Sequence, residues 1–300
     1  MIDLSIIIVS YNTQQFLRSC LESIFEKIPK ALLFEVIVVD NASKDQSVAM
    51  VKREFSKVHV TANKANLGFS KANNIGVSHA KGKYILFLNP DTRFETHEQQ
   101  TVQHLLDFMN QYSEVGALTC KLVLPNGTID EACHRGFPTP WNAFCHFSGL
   151  SKVFPRMKLF TGYSLEWLDL NTTHEIDACA GAFILVRQKA GEMIGWWDED
   201  YFWYGEDLDF CYRLKQKGWK IYYVPTVRVW HHKGVSGGIK KMSEHITTAD
   251  RETKIRATEA RFEAMKIFYK KYYATKYPKF LTLLVMWGIN MKLKFSLLKV

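Results

Sequence analysis

The first feature of this chain with chemical capacity is a carboxylate at the end of a buried strand. Tyr84 to Leu88 is uniformly apolar and stops abruptly at Asn89, Pro90 and Asp91. Such a run reads as a strand covered on both faces, so Asp91 emerges at its carboxyl end, where open α/β sheets hold their ligands. Asp40 closes a second run, FEVIVVD, placed to accept a hydrogen bond from a base or ribose. The segment NLGFSKANN, residues 66 to 74, adds Gly68, which permits close backbone approach, and the amides of Asn66 and Asn73. Farther on, Glu206 and Asp207 open a helix straight after Gly205, behind an aromatic stretch of Trp196, Trp197, Tyr201, Phe202, Trp203 and Tyr204. An acid beside apolar rings can have its pKa raised toward general-base duty, and one or two of the rings could wall a sugar pocket. Trp230-His231-His232 follows a strand, and neutral imidazole suits a divalent cation whose other ligands are oxygens. Neighbours on an extended chain point opposite ways, so at most one of the two histidines can be a ligand. Each feature alone also fits a plainer role: Asn-Pro-Asp as a turn, Asp40 as a cap, first-turn acids as helix-dipole partners, the rings as core.

The elements that must position these residues alternate at short spacing. Leu4 to Val9 reads as a strand and Thr13 to Glu26 as a helix with Phe16, Leu17, Cys20, Leu21, Ile24 and Phe25 on one face. Phe34 to Val39 is the next strand, and the helix after it begins near Asp45, where Ser43 and Gln46 have capping-box spacing. Val58 to Thr61, a helix around Asn73 to Ala80, and the strand at Tyr84 complete a βαβαβ unit, which implies a parallel sheet with its ligand site along the strand ends. Residues 120 to 175 are irregular and rich in Pro, Gly and aromatics, with no legible chemistry. Ile176 to Val186 reads as a strand interrupted by Gly181; a helix from about Glu206 to Lys217 and strands at Ile221 to Val224 and Val227 to Trp230 follow. From about Met242 a long helical pattern begins, so the chain divides into a main α/β domain, 1–240, and a basic amphipathic helical extension, 241–300.

Composition narrows the function. At 300 residues with 47% hydrophobic content the chain is a folded globular protein. The net charge of +9 resides in residues 251 to 300, where twelve basic residues face three acidic ones, while the rest balances. That asymmetry argues against nucleic acid and for a tail that meets an anionic surface. Phe280 to Met291, twelve residues bracketed by Lys276, Lys279, Lys292 and Lys294, reads as an interfacial segment rather than a bilayer span, with packing on the catalytic domain or on a second subunit as the alternative. Six scattered cysteines without a Cys-x-x-Cys pair imply reduced core thiols and the cytosol, and the amino terminus lacks signal-peptide character. No G-x-G-x-x-G follows the first strand and no P-loop occurs, which argues against dinucleotide dehydrogenases and P-loop NTPases.

In order, VSYN (9 to 12), VVDNAS (38 to 43), NLGFSKANN, LNPDT (88 to 92), Ala180-Gly181-Ala182-Phe183, GED (205 to 207) and WHH (230 to 232) resemble the inverting family 2 glycosyltransferases of the GT-A fold, over residues 1 to about 235. The branch most alike contains rhamnosyltransferases of bacterial surface polysaccharides. The resemblance implies an α/β fold with a mostly parallel central sheet flanked by helices. It implies a nucleotide site of Ser10, Tyr11, Asn12, Asp40, Asn66, Gly68, Asn73, Asn89 and Asp91, and a Mn²⁺ or Mg²⁺ site of Asp91 and His231. Asp207 would be the base, with Glu206 flanking it, and Gly181, Ala182, Trp203, Tyr204 and Glu206 would hold the acceptor. Asn89 departs from the aspartate of the commoner motif and lowers the site's negative charge. The expected activity is transfer of a sugar, L-rhamnose from dTDP-rhamnose as the first choice, to a glycan or lipid-linked acceptor, by a protein at the inner face of the cell membrane, with a homodimer as a candidate assembly. A nucleotidyltransferase would want a basic Gly-rich loop after the first strand, which VSYNTQQ lacks; a non-catalytic binding module would need no acid at Asp207.

Overall fold

Four apolar runs build the parallel half of the sheet. In the computed structural model, which describes residues 2–95, 101–240 and 244–299, they are β1 (Leu4–Ser10), β2 (Phe34–Asp40), β3 (Val58–Ala62) and β4 (Tyr84–Leu88), joined by helices α1 (Gln14–Lys27), α2 (Ser47–Glu54) and α3 (Phe69–His79). β1 pairs in parallel with both β2 and β4, and β2 with β3. All of β4 is buried, as its uninterrupted apolar sequence requires. Leu17, Cys20, Leu21 and Ile24 of α1 are fully buried against the sheet.

Two helix starts differ from expectation. The Ser43–Gln46 capping box does not form: Ser43 Oγ accepts from Asn12 N at 2.9 Å, and α2 begins at Ser47, whose N–H bonds Asp45 Oδ1 at 3.0 Å. Helix α3 starts at Phe69, four residues before Asn73, because Gly68 turns the chain at φ +85° directly against Phe202. A Cβ at Gly68 would lie 2.6 Å from the Phe202 carbonyl oxygen, so this glycine serves a backbone crossing.

The second half completes a mixed, mostly parallel sheet. Its elements are β5 (Thr92–Phe94), α4 (Thr101–Gln111), β6 (Val115–Val123), α5 (Pro140–Ser148), α6 (Leu150–Val153), β7 (His174–Ile176), β8 (Phe183–Arg187), α7 (Gln188–Ile194), α8 (Glu206–Gln216) and β9 (Lys220–His231). Strand order is β3-β2-β1-β4-β8-β6-β9-β5, with β7 also on β9; β8 lies antiparallel between β4 and β6. The strand expected over Ile176 to Val186 is thus two strands, and Ala180, Gly181 and Ala182 precede β8 instead of belonging to it. The two strands expected on either side of Pro225 are one, β9, because a register shift against β6 (Cys120 opposite Val224, Lys121 opposite Arg228) takes up the proline.

After β9 come α9 (Arg251–Tyr272) and α10 (Lys279–Leu297); Met242, where the helical pattern was expected to begin, lies outside the described residues. Helix α9 packs onto α8. Phe268 and Tyr272 meet the Tyr212 ring of α8, Tyr272 Oη donates to Asp209 Oδ1 at 2.6 Å, and Lys276 Nζ donates to Tyr212 Oη at 2.7 Å. Helix α10, at 19 residues, outruns the twelve-residue apolar segment, has no buried residue, and is long and apolar enough to cross a membrane by length and composition alone. The six cysteines are all buried and unpaired.

Candidate active site

The register of β5 on β9 builds one side of the site. Thr92 pairs with His231, and His232 N donates to the carbonyl of Asp91 at 2.9 Å, which brings the Asp91 side chain beside the His231 ring: Nε2 lies 3.6 Å from Asp91 Oδ1. On its far side His231 Nδ1 bonds Asp130 Oδ2 at 2.9 Å, and Asp130, fully buried, also receives Lys233 Nζ. In the neutral ring Nδ1–H donates to Asp130 and the Nε2 lone pair faces Asp91, the tautomer a metal ligand needs. Nε2 is buried without a partner. Asp91 and His231 therefore fit a divalent cation that draws its remaining ligands from phosphate and water, although among the described residues no three His, Cys, Asp or Glu side chains gather as a complete metal cage. Only one of the adjacent histidines points this way; His232 packs edge-on against Phe16, with ring centroids 5.1 Å apart.

The opposite wall is the start of α8. Tyr204 (φ +70°) and Gly205 (φ +80°) both take left-handed backbone, and a Cβ at Gly205 would sit 2.8 Å from Ala264 of α9. This strained turn presents Glu206 and Asp207. Asp207 Oδ2 accepts from Arg135 Nη2 at 2.6 Å and Oδ1 from Leu208 N at 2.8 Å; Arg135 Nη2 also donates to the Cys179 carbonyl at 3.1 Å. Burial, with the Asp207 charge adding, pushes the Glu206 carboxyl up to about 8, and its Oε2 has no partner. At neutral pH Glu206 is thus mainly protonated, a hydrogen-bond donor beside a charged aspartate.

One cavity of about 1060 Å³ connects the two walls. Tyr11, Asn66, Gly68, Asn89, Asp91 and His231 line one part, and Gly181, Ala182, Trp203, Tyr204, Glu206 and Asp207 another. Four expected nucleotide residues stand off the wall. Ser10 Oγ meets Thr13 Oγ1 at 3.1 Å, Asn12 bonds Ser43 and Lys44 across the loops, and Asn73 Nδ2 donates to Phe69 O at 3.0 Å within α3. Asp40 accepts from Ser43 N through Oδ1, and burial raises its pKa against that bond, while Oδ2 is buried with no donor. The aromatic stretch divides: Trp197 and Tyr201 are core, whereas Trp203 and Tyr204 stack at 5.7 Å on the cavity side.

Sequence reasoning gave no site role to Asn41, Asp130, Arg135 or Lys233. Asn41 stood next to Asp40, so its position at a strand end was a usable signal; its side chain ties Asn63, Asn66, Leu67 and the Gly68 carbonyl together. Asp130 and Arg135 fall in the irregular stretch, where no periodicity marks them.

With this geometry in view, the comparisons with known proteins agree in kind. The model of Glycosyl transferase family 2 matches residues 5–169. The chain is 26% identical over 263 residues to an N-acetylglucosaminyl-diphospho-decaprenol L-rhamnosyltransferase of Mycobacterium tuberculosis, covering 84% of this chain and 83% of that one. It is 26% identical over 237 residues to the rhamnosyltransferase WbbL of Escherichia coli, covering 76% and 82%. Among solved structures, a mannosyltransferase of Pyrobaculum calidifontis in complex with GDP-Man and Mn²⁺ superposes with a TM-score of 0.53 at 15% identity, over 98% of this chain and 86% of that one. GalNAc-T7 with UDP, GalNAc and Mn²⁺ superposes with a TM-score of 0.59 at 18% identity, over 90% of this chain and half of the other. These structural likenesses establish the GT-A-like fold.

Proposed function

This chain belongs to glycosyl transferase family 2, a glycosyltransferase using a nucleotide-sugar donor, and we propose that it moves L-rhamnose from dTDP-rhamnose, with inversion, to a hydroxyl of a lipid-linked glycan in surface polysaccharide synthesis. The observation carrying the catalytic part is that one cavity is lined by Asp91, the bare Nε2 of His231 and Asp207. The rhamnosyl part is supported by the two rhamnosyltransferase relatives.

In the proposed reaction the acceptor oxygen attacks the anomeric carbon, its proton passes to Asp207, and the bond to the phosphate oxygen breaks with its electron pair leaving on the diphosphate. Arg135 holds the Asp207 carboxylate in one orientation toward the acceptor. Glu206, carrying a proton, donates to an acceptor or donor hydroxyl. Tyr11 receives the nucleoside, and Asp40, off the cavity wall, orders the loop beneath it by accepting from Ser43 N. Asp91 and His231 would hold Mn²⁺ or Mg²⁺, which when bound neutralises charge on the departing diphosphate.

A calorimetric panel of dTDP-rhamnose, UDP-sugars and GDP-sugars with either metal tests the donor. dTDP-rhamnose is expected to bind most tightly, and Asp91→Ala to weaken its Mn²⁺-dependent binding by about tenfold or more, the usual cost of losing a charged ligand contact. Preference for another donor overturns the rhamnosyl reading. Equal affinity of the Asp91→Ala protein with and without metal, matching the unmodified protein, overturns the metal reading.

For location, we propose peripheral attachment to the cytoplasmic membrane face through α10, whose Phe280, Leu283 and Trp287 are 72%, 71% and 62% exposed among lysines. In flotation with vesicles containing phosphatidylglycerol, Leu284→Gln/Trp287→Gln is expected to lower bound protein about tenfold or more, since each buried side chain contributes roughly 1.5–3 kcal/mol. Salt should weaken binding. Release by detergent alone would mean that α10 spans the bilayer.

A further inference from the structure

The charged side chains on the cavity wall pair off unevenly. Arg135 holds Asp207 and Lys233 holds Asp130, so these four balance. Beyond them the wall carries Lys240, Arg261 and Lys292 against Asp91, Glu131 and a mainly protonated Glu206. Arg261 comes from α9, in the helical extension. Arg256 of the same helix stacks on the Phe202 ring at 4.1 Å, and Lys266 pairs with Glu263. Arg261 makes no ion pair or hydrogen bond among the described residues, although it is half-buried. A guanidinium so placed on a cavity wall has lost hydration that a bound anion would replace.

The cavity runs on past Asp207 between Phe144 of α5 and Leu284 of α10, so the packing around Arg261 decides which part of it the guanidinium serves. Ala264, three residues on and on the same helix face, packs against Gly205, which turns the chain into Glu206 and Asp207. The segment after β9 threads between Tyr204 and the start of α9: a Cβ at Gly237 would meet Tyr204 Oη at 2.7 Å, and one at Gly238 would meet Ala249 at 2.8 Å and Lys254 at 2.9 Å. That segment brings Lys240 to the cavity, where burial pushes its ammonium down to about 8 and the Arg261 and Lys233 charges act in the same direction. Tyr204 feels the same surroundings. Burial raises its phenol pKa, Glu206 and Asp91 add to the rise, and Arg261 opposes it. The Arg261 charge therefore acts on the part of the cavity that Asp91 lines.

Asp91 and His231 offer a divalent cation only two protein ligands, and Asn89 adds no charge to that wall. Negative charge growing on a departing diphosphate is also met by fixed cations already in the cavity, which need no reorganisation as the bond breaks. Arginine suits this task because its planar fork bonds two phosphate oxygens at once. Resting on the glycosyltransferase reading, we propose that Arg261, with Lys240 beside it, binds the donor's diphosphate, so that α9 supplies part of the active site. The helical extension is then needed for donor binding as well as for attachment.

Calorimetry on the full chain in EDTA tests this with dTDP, UDP and GDP, the matching monophosphates dTMP, UMP and GMP, and inorganic pyrophosphate. The unmodified protein is expected to bind its favoured nucleoside diphosphate about tenfold or more tightly than the same monophosphate, the scale of a charge-assisted bond. Arg261→Gln should bring the two within about twofold of each other and weaken pyrophosphate, while monophosphate affinity holds. Glutamine has nearly the helix propensity of arginine, so α9 is kept. Arg261→Lys retains the charge without the fork, and its discrimination should fall between those of the other two proteins. No preference for the diphosphate in the unmodified protein, or an unchanged preference in Arg261→Gln, overturns the assignment even if nucleotides bind. Equal loss of monophosphate and diphosphate overturns it too, since Arg261 would then serve the nucleoside or the fold. If pyrophosphate binds in an Arg261-dependent way and no nucleotide does, the donor reading fails and the diphosphate site stands. Binding of no probe overturns both.

Discussion

Asp207→Asn is expected to lower turnover by about two to four orders of magnitude, the range for removing a general base, while nucleotide binding stays near that of the unmodified protein. The amide is nearly the same size as the carboxylate and still accepts through its oxygen, so the turn at Gly205 and the approach of Leu208 N are kept. What it cannot do is take the acceptor's proton. Glu206→Gln is the informative partner, because Glu206 at neutral pH is mainly protonated and an amide keeps a donor in its place. That variant is expected to lose much less. Steady-state turnover together with nucleotide calorimetry decides between the two acids: if Glu206→Gln is the crippled enzyme and Asp207→Asn the active one, the base is Glu206.

The second large effect is expected at Arg135. Its guanidinium and the Asp207 carboxylate are 12% and 13% exposed at the side chain and 2.6 Å apart. Arg135→Ala leaves a nearly buried charge unpaired, and breaking such a pair by removing one partner costs about 3 to 5 kcal/mol. Denaturant unfolding should register this as a lower midpoint, and the double variant Arg135→Ala/Asp207→Asn should recover part of it, since the unpaired charge is then gone. A structural role alone would end there. Arg135→Lys separates stability from positioning: it keeps a positive charge but, being shorter, does not carry a donor to the point where Arg135 Nη2 meets both Asp207 and the Cys179 carbonyl. Its turnover is expected to fall with little change in nucleotide affinity or in folding midpoint. Wild-type turnover in the lysine variant would remove Arg135 from positioning Asp207.

Much of the site was legible because its residues end local patterns. Asp40 and Asp91 each close an uninterrupted apolar run, and a strand buried on both faces needs such a run whatever it packs against. Glu206 and Asp207 open a helix with clear periodicity, and that helix begins at Glu206. Expectation failed where a distant contact outweighed the local signal. Asn73 seemed a helix start until Gly68, held against Phe202, set the true one; Pro225 looked like a strand break, yet a bulge against β6 carried the strand through. Asp207's partner, Arg135, sits in a stretch with no period at all, fixed by a bridge to Ala178 and by backbone bonds to neighbours far along the chain.

The amino-acid sequence by itself determined the strands of the first half, the polar residues at their ends and the acids that open α8, because hydrophobic period and strand length act within a few residues. Only the tertiary structure decided that Asp91 faces His231, that Asp207 is held by Arg135, and that the cavity continues between α5 and α10. Each of these depends on strand register or helix docking between segments far apart in the chain, and side-chain order along a strand does not encode which partner residue will stand opposite it.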